Sequence, residues 1–156
     1  MTDGLSHIDA RGQARMVDVA EKAVTTRSAE AVAEVCTGAA RAIRDGSVAK
    51  GDVLATARIA GIMAAKRTPD LIPMCHPIAV HGVTVDVDVD PHEDVVHIRA
   101  QVRTADRTGV EMEALTAVSV ACLTVIDMTK SLDPRATIEA MRIVSKTGGQ
   151  SGGWHR

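Results

Sequence analysis

From Val83 to Asp90 the chain reads "VTVDVDVD", an unbroken alternation of valine with polar residues. Successive side chains of a strand point to opposite faces. Val83, Val85, Val87 and Val89 therefore share one face, while Asp86, Asp88 and Asp90 share the other. "PHED" then turns the chain and "VHIRAQVR" alternates back, which predicts an antiparallel hairpin. Its outer faces set the three aspartates within reach of His97, Arg99 and Arg103. A row of three acids invites a metal-site reading, but cross-strand charge pairing explains it at least as well.

Two other stretches follow a helical pattern. "GDVLATARIAGIMAAKR" predicts a helix with Asp52 as its N-cap, and its alanines and Gly61 permit close packing against another element. "GVEMEALTAVSVACLTVIDMTKSL" predicts the longest helix, stopped before Asp133-Pro134. From Ala114 to Ile126 it has no charge on any side, the mark of a buried helix. Its charges stand at the ends: Glu111 and Glu113 first, Asp127 and Lys130 last. A strand over "TIEAMRIVSK" leads into "TGGQSGG", so residues from about 148 to 156 are expected to form a mobile glycine-rich tail. Near the start, "SHIDARGQARMVDV" predicts two short strands around a turn at Gly12. Residues 24 to 46 are ambiguous, with a helical signal strongest in "AARAIRDG", ended by Gly46. No repeat or linker divides residues 1 to 156, which predicts one α+β domain with helices on one face of a mainly antiparallel sheet.

Composition narrows the function. The chain has no Phe, no Tyr and only Trp154, so its core is built from Val, Ile, Leu, Met and Ala. A purine or pterin ring finds no aromatic platform here unless Trp154 supplies it. A net charge of −2 argues against general nucleic-acid binding. Cys36, Cys75 and Cys122 are odd in number and form no C-x-x-C pair, which fits a reducing compartment. "MTDGLSHIDARG" has no apolar signal region, and the apolar run within residues 114 to 126 is shorter than a membrane span. The expectation is a soluble cytoplasmic domain.

The segment "LIPMCHPI" is unusual. Pro73 and Pro77 steer Ile72 and His76 away from helical geometry. An extended stretch points neighbours to opposite sides, so a buried Cys75 leaves His76 facing outward, free to donate to a ligand. Adjacent ligands pointing apart cannot readily share one zinc ion, and a Cys–His nucleophile pair fails for the same reason.

Further chemistry gathers at element ends. Glu111 and Glu113 fall in a first helical turn, which favours carboxylates. Asp127 and Lys130, spaced i,i+3, can touch, and an ordinary salt bridge accounts for the pair taken alone. Yet Asp127 sits where the helix dipole disfavours an acid and directly follows the charge-free stretch. That placement predicts partial desolvation and a raised pKa, and with Lys130 an acid/base pair. Lys50, just before an N-cap, and Lys146 in "SKTGGQSGG" mark two candidate anion sites, although the tail lacks the Walker A order. Together these features suggest an enzyme acting on a phosphorylated small molecule.

Three long segments make the chain recognisable. "KGDVLATARIAGIMAAKRTPDLIPMCHPI", "TGVEMEALTAVSVACLTVIDMTK" and "SKTGGQSG" closely resemble the MoaC family of molybdenum cofactor biosynthesis, and "SHID…MVDV" fits as well. The resemblance implies a ferredoxin-like α+β fold and a lyase reaction. In it, 3′,8-cyclo-7,8-dihydro-GTP becomes cyclic pyranopterin monophosphate with release of pyrophosphate. It implies no organic cofactor and no resident metal, and Mg²⁺ accompanying the substrate phosphates is compatible with it. The residues matching the family's catalytic set are Asp127, Lys130 and Lys50. Those matching its substrate-binding positions are Met74, Cys75 and His76 of the "CH" segment, Glu111, Met112 and Glu113 of the "EME" segment, Lys146, and Arg27 after "MVDV". The family's hexamer, a trimer of dimers, implies a homo-oligomer with sites at subunit interfaces. Ile126, Thr129 and Gln150 depart from the family's usual tyrosine, cysteine and lysine. A non-catalytic nucleotide- or pterin-binding module is the rival reading, and it leaves the set of Asp127, Lys50 and Lys130 without a purpose. A metal-dependent phosphohydrolase is a third reading and lacks a ligand cluster.

Overall fold

The computed structural model describes residues 8–149 and 152–156. Strand β1 (Thr25–Cys36) is followed by the short helix α1 (Ala40–Arg44), helix α2 (Val53–Ala65) and the single turn α3 (Thr68–Leu71). The hairpin β2 (Gly82–Val89) and β3 (Val95–Asp106) comes next, then the long helix α4 (Glu111–Thr129), β4 (Thr137–Thr147) and β5 (Trp154–His155). The strands form one sheet in the order β2-β3-β1-β4-β5, and every neighbouring pair is antiparallel. Its first four strands, with α2 and α4 packed on one face, are the ferredoxin-like α+β arrangement expected from the sequence.

The centre of the sheet is the element the sequence left ambiguous. On β1, Ala29, Ala31, Ala33 and Val35 are at most 1% exposed, and the residues between them face the other side of the sheet. The alternation is real, but alanine is a weak strand former and a strong helix former. Pairing on both edges, with β3 and with β4, overrides that preference. Only "AARAIRDG" keeps the helical outcome, as α1, with Gly46 beyond it at φ 65°. The two strands expected around Gly12 reduce to one bridge, Ile8 to Ala14.

The buried side of α4 is equally small-featured: Ala114, Ala117, Val118, Ala121, Cys122 and Val125 are fully buried. Helix α2 begins where expected, with Asp52 Oδ1 accepting the Ala55 N–H at 2.9 Å. A Cβ added at Gly61 would stand 3.0 Å from the Ala117 carbonyl oxygen and 3.3 Å from the Val85 methyls. Glycine thus allows α2 to rest on the backbone of α4. By length and composition α4 could cross a membrane, contrary to the shorter apolar run read from the sequence. More than half of it is buried inside the domain, which makes it a core helix.

The outer face of the sheet carries the charges. Val85 and Val87 are buried while Asp86 and Asp88 are exposed, as the alternation requires. The pairing differs from the hairpin expectation. Arg99 stands opposite Asp86 but binds Glu30 on β1 at 2.8 Å. His97 lies 3.5 Å from both Glu34 and Asp90, and Arg103 faces Gly82. Strand β3 has an acidic neighbour on each side, and the second became visible only with β1. Among the described residues no three His, Cys, Asp or Glu side chains converge as a metal cage.

Replacing Gly61 by valine should force α2 off α4. Such overpacking costs about 1–3 kcal/mol, so urea unfolding should show a lower midpoint with an unchanged slope. An unchanged midpoint would show that the two helices have room to spare.

Candidate functional site

Candidate residues gather at the two ends of α4. At its N-terminal end a cleft of about 280 Å³ is lined by Met74, Cys75 and His76, by Glu111, Met112 and Glu113, and by Val17, Val19, Lys22, Thr108 and Gly109. Lys146 reaches this end from β4, its Nζ 2.8 Å from Glu111 Oε1. Arg27, at the start of β1, donates through Nε to the Asp106 carbonyl at 3.0 Å. It also borders the tail, since a Cβ on Gly149 would come within 2.7 Å of its guanidinium.

The "CH" segment is non-helical at Ile72 and His76, as its prolines require, but it is not one continuous extended rail. The Cys75 N–H donates to the Ile72 carbonyl at 3.1 Å, closing a turn just after α3. Cys75 and His76 follow that turn, and both half-buried side chains line the cleft instead of pointing to opposite sides. His76 Nε2 lies 2.6 Å from the Val17 carbonyl and donates to it, so the histidine holds the N-terminal segment across the cleft mouth. Burial pushes the Cys75 thiol up, and the Glu113 carboxylate adds to the effect. The thiol is thus held in its neutral form as part of the cleft wall.

Glu113 is the buried carboxyl of the site, only 3% exposed. Burial pushes its carboxyl up to about 7, and Glu111 two positions away adds to the rise, while a bond to its own backbone N–H opposes it. Gly109 explains how Glu111 folds over the helix end: a Cβ there would lie 1.9 Å from Glu111 Oε2. Lys22, Thr108, Val17 and Val19 were missed by the sequence reading. Lys22 lies in an irregular, exposed stretch without periodicity, whereas the glycine of "GVEME" was a usable signal.

At the other end of α4, Asp127 joins Lys50 and Lys130. Lys130 Nζ is 2.7 Å from Asp127 Oδ1. Lys50 Nζ is 3.2 Å from Oδ2 and 2.7 Å from the Asp127 backbone carbonyl. Lys50 therefore serves the C-terminal end of α4 instead of the amides of α2. The expected rise in the Asp127 pKa is reversed. Its side chain is 59% exposed, and the bonds from Lys130 and then Lys50 hold its carboxyl below the usual carboxylate range. The uncharged stretch before it does bury the helix, but the last turn emerges from the core. Two ammonium groups on one carboxylate leave the cluster net positive, suited to an anion.

The two clusters do not meet within one chain. Glu113 and Asp127 lie fourteen positions apart on α4, about 21 Å along a helix rising 1.5 Å per residue. The tail position Gln150 lies outside the described residues.

The fold and these clusters define a ferredoxin-like α+β protein with a cleft flanked by acidic and basic groups and a separate lysine–aspartate centre. The chain belongs to the MoaC family, whose family model matches residues 16–149. It is 59% identical over 156 residues to a cyclic pyranopterin monophosphate synthase of Streptomyces coelicolor, covering 99% of this chain and 91% of that one. A relative of the same name in Thermomicrobium roseum is 54% identical over 154 residues, 97% of this chain and 93% of its own. Cyclic pyranopterin monophosphate synthase 2 of Mycobacterium bovis is 56% identical over 154 residues, 97% and 91% of the two chains.

Between the ordinary 4.5 and about 7, folded Glu113 keeps a proton that the unfolded chain has released. The fold binds more protons in that window, so its stability falls as pH rises through it. Urea midpoints measured at about pH 5 and about pH 8 should drop less in Glu113→Gln than in the parent chain. Equal drops would show that Glu113 ionises as freely in the fold as outside it.

Proposed function

We propose that this chain is a cyclic pyranopterin monophosphate synthase acting in molybdenum cofactor biosynthesis. It converts 3′,8-cyclo-7,8-dihydro-GTP into cyclic pyranopterin monophosphate and releases pyrophosphate. Membership of the MoaC family across residues 16–149, with its named relatives, carries this reading. The lysine–aspartate centre supports catalysis over mere binding: Lys50 and Lys130 share one ionised carboxylate, an arrangement that can store and hand over protons. When anionic substrate draws the lysines away, Asp127 loses the bonds that hold its pKa down and becomes a better proton acceptor. Near the other end, Arg27 and Lys146 supply positive charge for phosphates, and His76, Cys75, Met74, Met112, Glu111 and Glu113 shape the cleft.

In this reading no organic cofactor takes part, and Mg²⁺ enters only with the phosphates of the substrate. The enzyme is a homo-oligomer, a hexamer built as a trimer of dimers, whose site joins Glu113 of one chain to Asp127 of another. The separation of the two clusters along α4 supports this. So do the large apolar side chains that one chain leaves in water: Ile59 and Met63 on α2 and Leu123 on α4, each at least 55% exposed. The enzyme works in the cytoplasm, a reading supported by its unpaired cysteines in a compartment that keeps thiols reduced.

Incubating the protein with the cyclised dihydro-GTP should yield pyrophosphate and the pyranopterin together. Substrate bound and recovered unchanged would favour a non-catalytic binding module. Asp127→Asn should lower turnover on the order of a hundredfold or more. The melting temperature should hold, because exposed ion pairs contribute little to stability. A folded variant with near-normal turnover would reduce Asp127 to a salt-bridge partner.

A further inference from the structure

Trp154 is the one Trp in a chain without Phe or Tyr, and the structure gives it a definite place. On β5 it stands directly opposite Lys146, and directly opposed residues share a face of the sheet. Lys146 in turn stands opposite Ala29, which is 1% exposed beneath the helices. The indole therefore projects on the helix-bearing face, beside the lysine that binds Glu111 at the cleft. It remains 43% exposed.

The chain end is built to hold it there. A Cβ on Gly153 would come 3.0 Å from the Lys146 carbonyl oxygen, so glycine lets β5 lie close against β4. Beyond it, the Arg156 N–H donates to the Val144 carbonyl at 2.8 Å. The cleft itself offers thioether, thiol and carboxyl groups but no benzenoid ring. A flat heteroaromatic ligand has one indole face to lie on, and it stands next to a cation suited to phosphate.

We propose that Trp154 is the stacking surface for the purine-derived base of the nucleotide whose phosphates Lys146 and Arg27 attract; this rests on the nucleotide reading above. The base lies against the exposed indole face at the outer rim of the cleft, and β5 is the element that presents it. Trp154 is thus a binding residue that favours base-bearing ligands over bare polyphosphate.

The test uses the whole oligomer, GTP as a base-bearing probe and inorganic tripolyphosphate as a baseless one. Under tryptophan-selective excitation all emission comes from Trp154. It should fall saturably with GTP and stay constant with tripolyphosphate. By calorimetry, Trp154→Ala should weaken GTP binding at least about fivefold, the low end for base–aromatic stacking. Tripolyphosphate binding should be unaltered, and Trp154→Phe should recover most of the loss. Equal GTP affinity in Trp154→Ala and the parent overturns the assignment. So does an equal loss for both probes, which marks a structural contact or one with a neighbouring copy. A parent chain that binds neither probe contradicts the nucleotide reading itself, and the stacking assignment with it.

Discussion

The packing of α4 against the sheet is the constraint on which the rest of the molecule depends. A helix is a stiff spacer with a fixed rise per residue, and this one is clamped along its length by small side chains. Ala114, Ala117 and Ala121 meet a layer of Ala29, Ala31 and Ala33 from the central strand. Helix α2 presses on the same helix through Gly61. With no polar side chain needed to stabilise its middle, α4 gathers its chemistry at its termini. The acidic end faces the cleft of Cys75 and His76, and the Asp127 end meets two lysines.

Burial then separates the two ends electrostatically. Glu113 sits under its neighbours and holds a proton near neutrality, whereas Asp127 stands in water and is kept ionised by Lys130 and Lys50. Two carboxyls of one helix are thus tuned in opposite directions by their surroundings alone. Such divergence is how a single fold provides both a proton donor and a charged group at one pH. Here the two are too far apart to act on one atom within a chain.

Much of this was legible in the sequence, and the failures have physical causes. The valine–aspartate alternation announced β2, and the charge-free stretch announced a core helix, because both patterns have one strong period. Strand β1 was hidden because its inward residues are mostly alanine, whose local preference opposes the pairing imposed from both sides. That omission carried over to the charges: Arg99 was assigned to the hairpin aspartates, with Glu30 out of view. Asp127 was read from its neighbours in sequence as desolvated, whereas the two lysines around it, one of them from a distant loop, decide its ionisation. The prolines around Cys75 and His76 suggested one extended rail, whereas a turn at Pro73 and Met74, closed by a backbone bond to Ile72, precedes both residues. The residues carried over from the family segments needed no such reasoning. Their grouping into two clusters did, because distance along a helix axis is physical information that a motif does not contain.

The central claim is that one working site joins the Glu113 end of one α4 to the Asp127 end of another. Chains carrying Glu113→Ala and chains carrying Asp127→Asn, each inactive alone, can be dissociated, mixed and reassembled, and their conversion of cyclised dihydro-GTP followed. Mixed oligomers should regain part of the parent activity, through interfaces where an intact Glu113 meets an intact Asp127. Verified mixed oligomers that stay inactive, or a parent chain fully active as a monomer, would contradict the account.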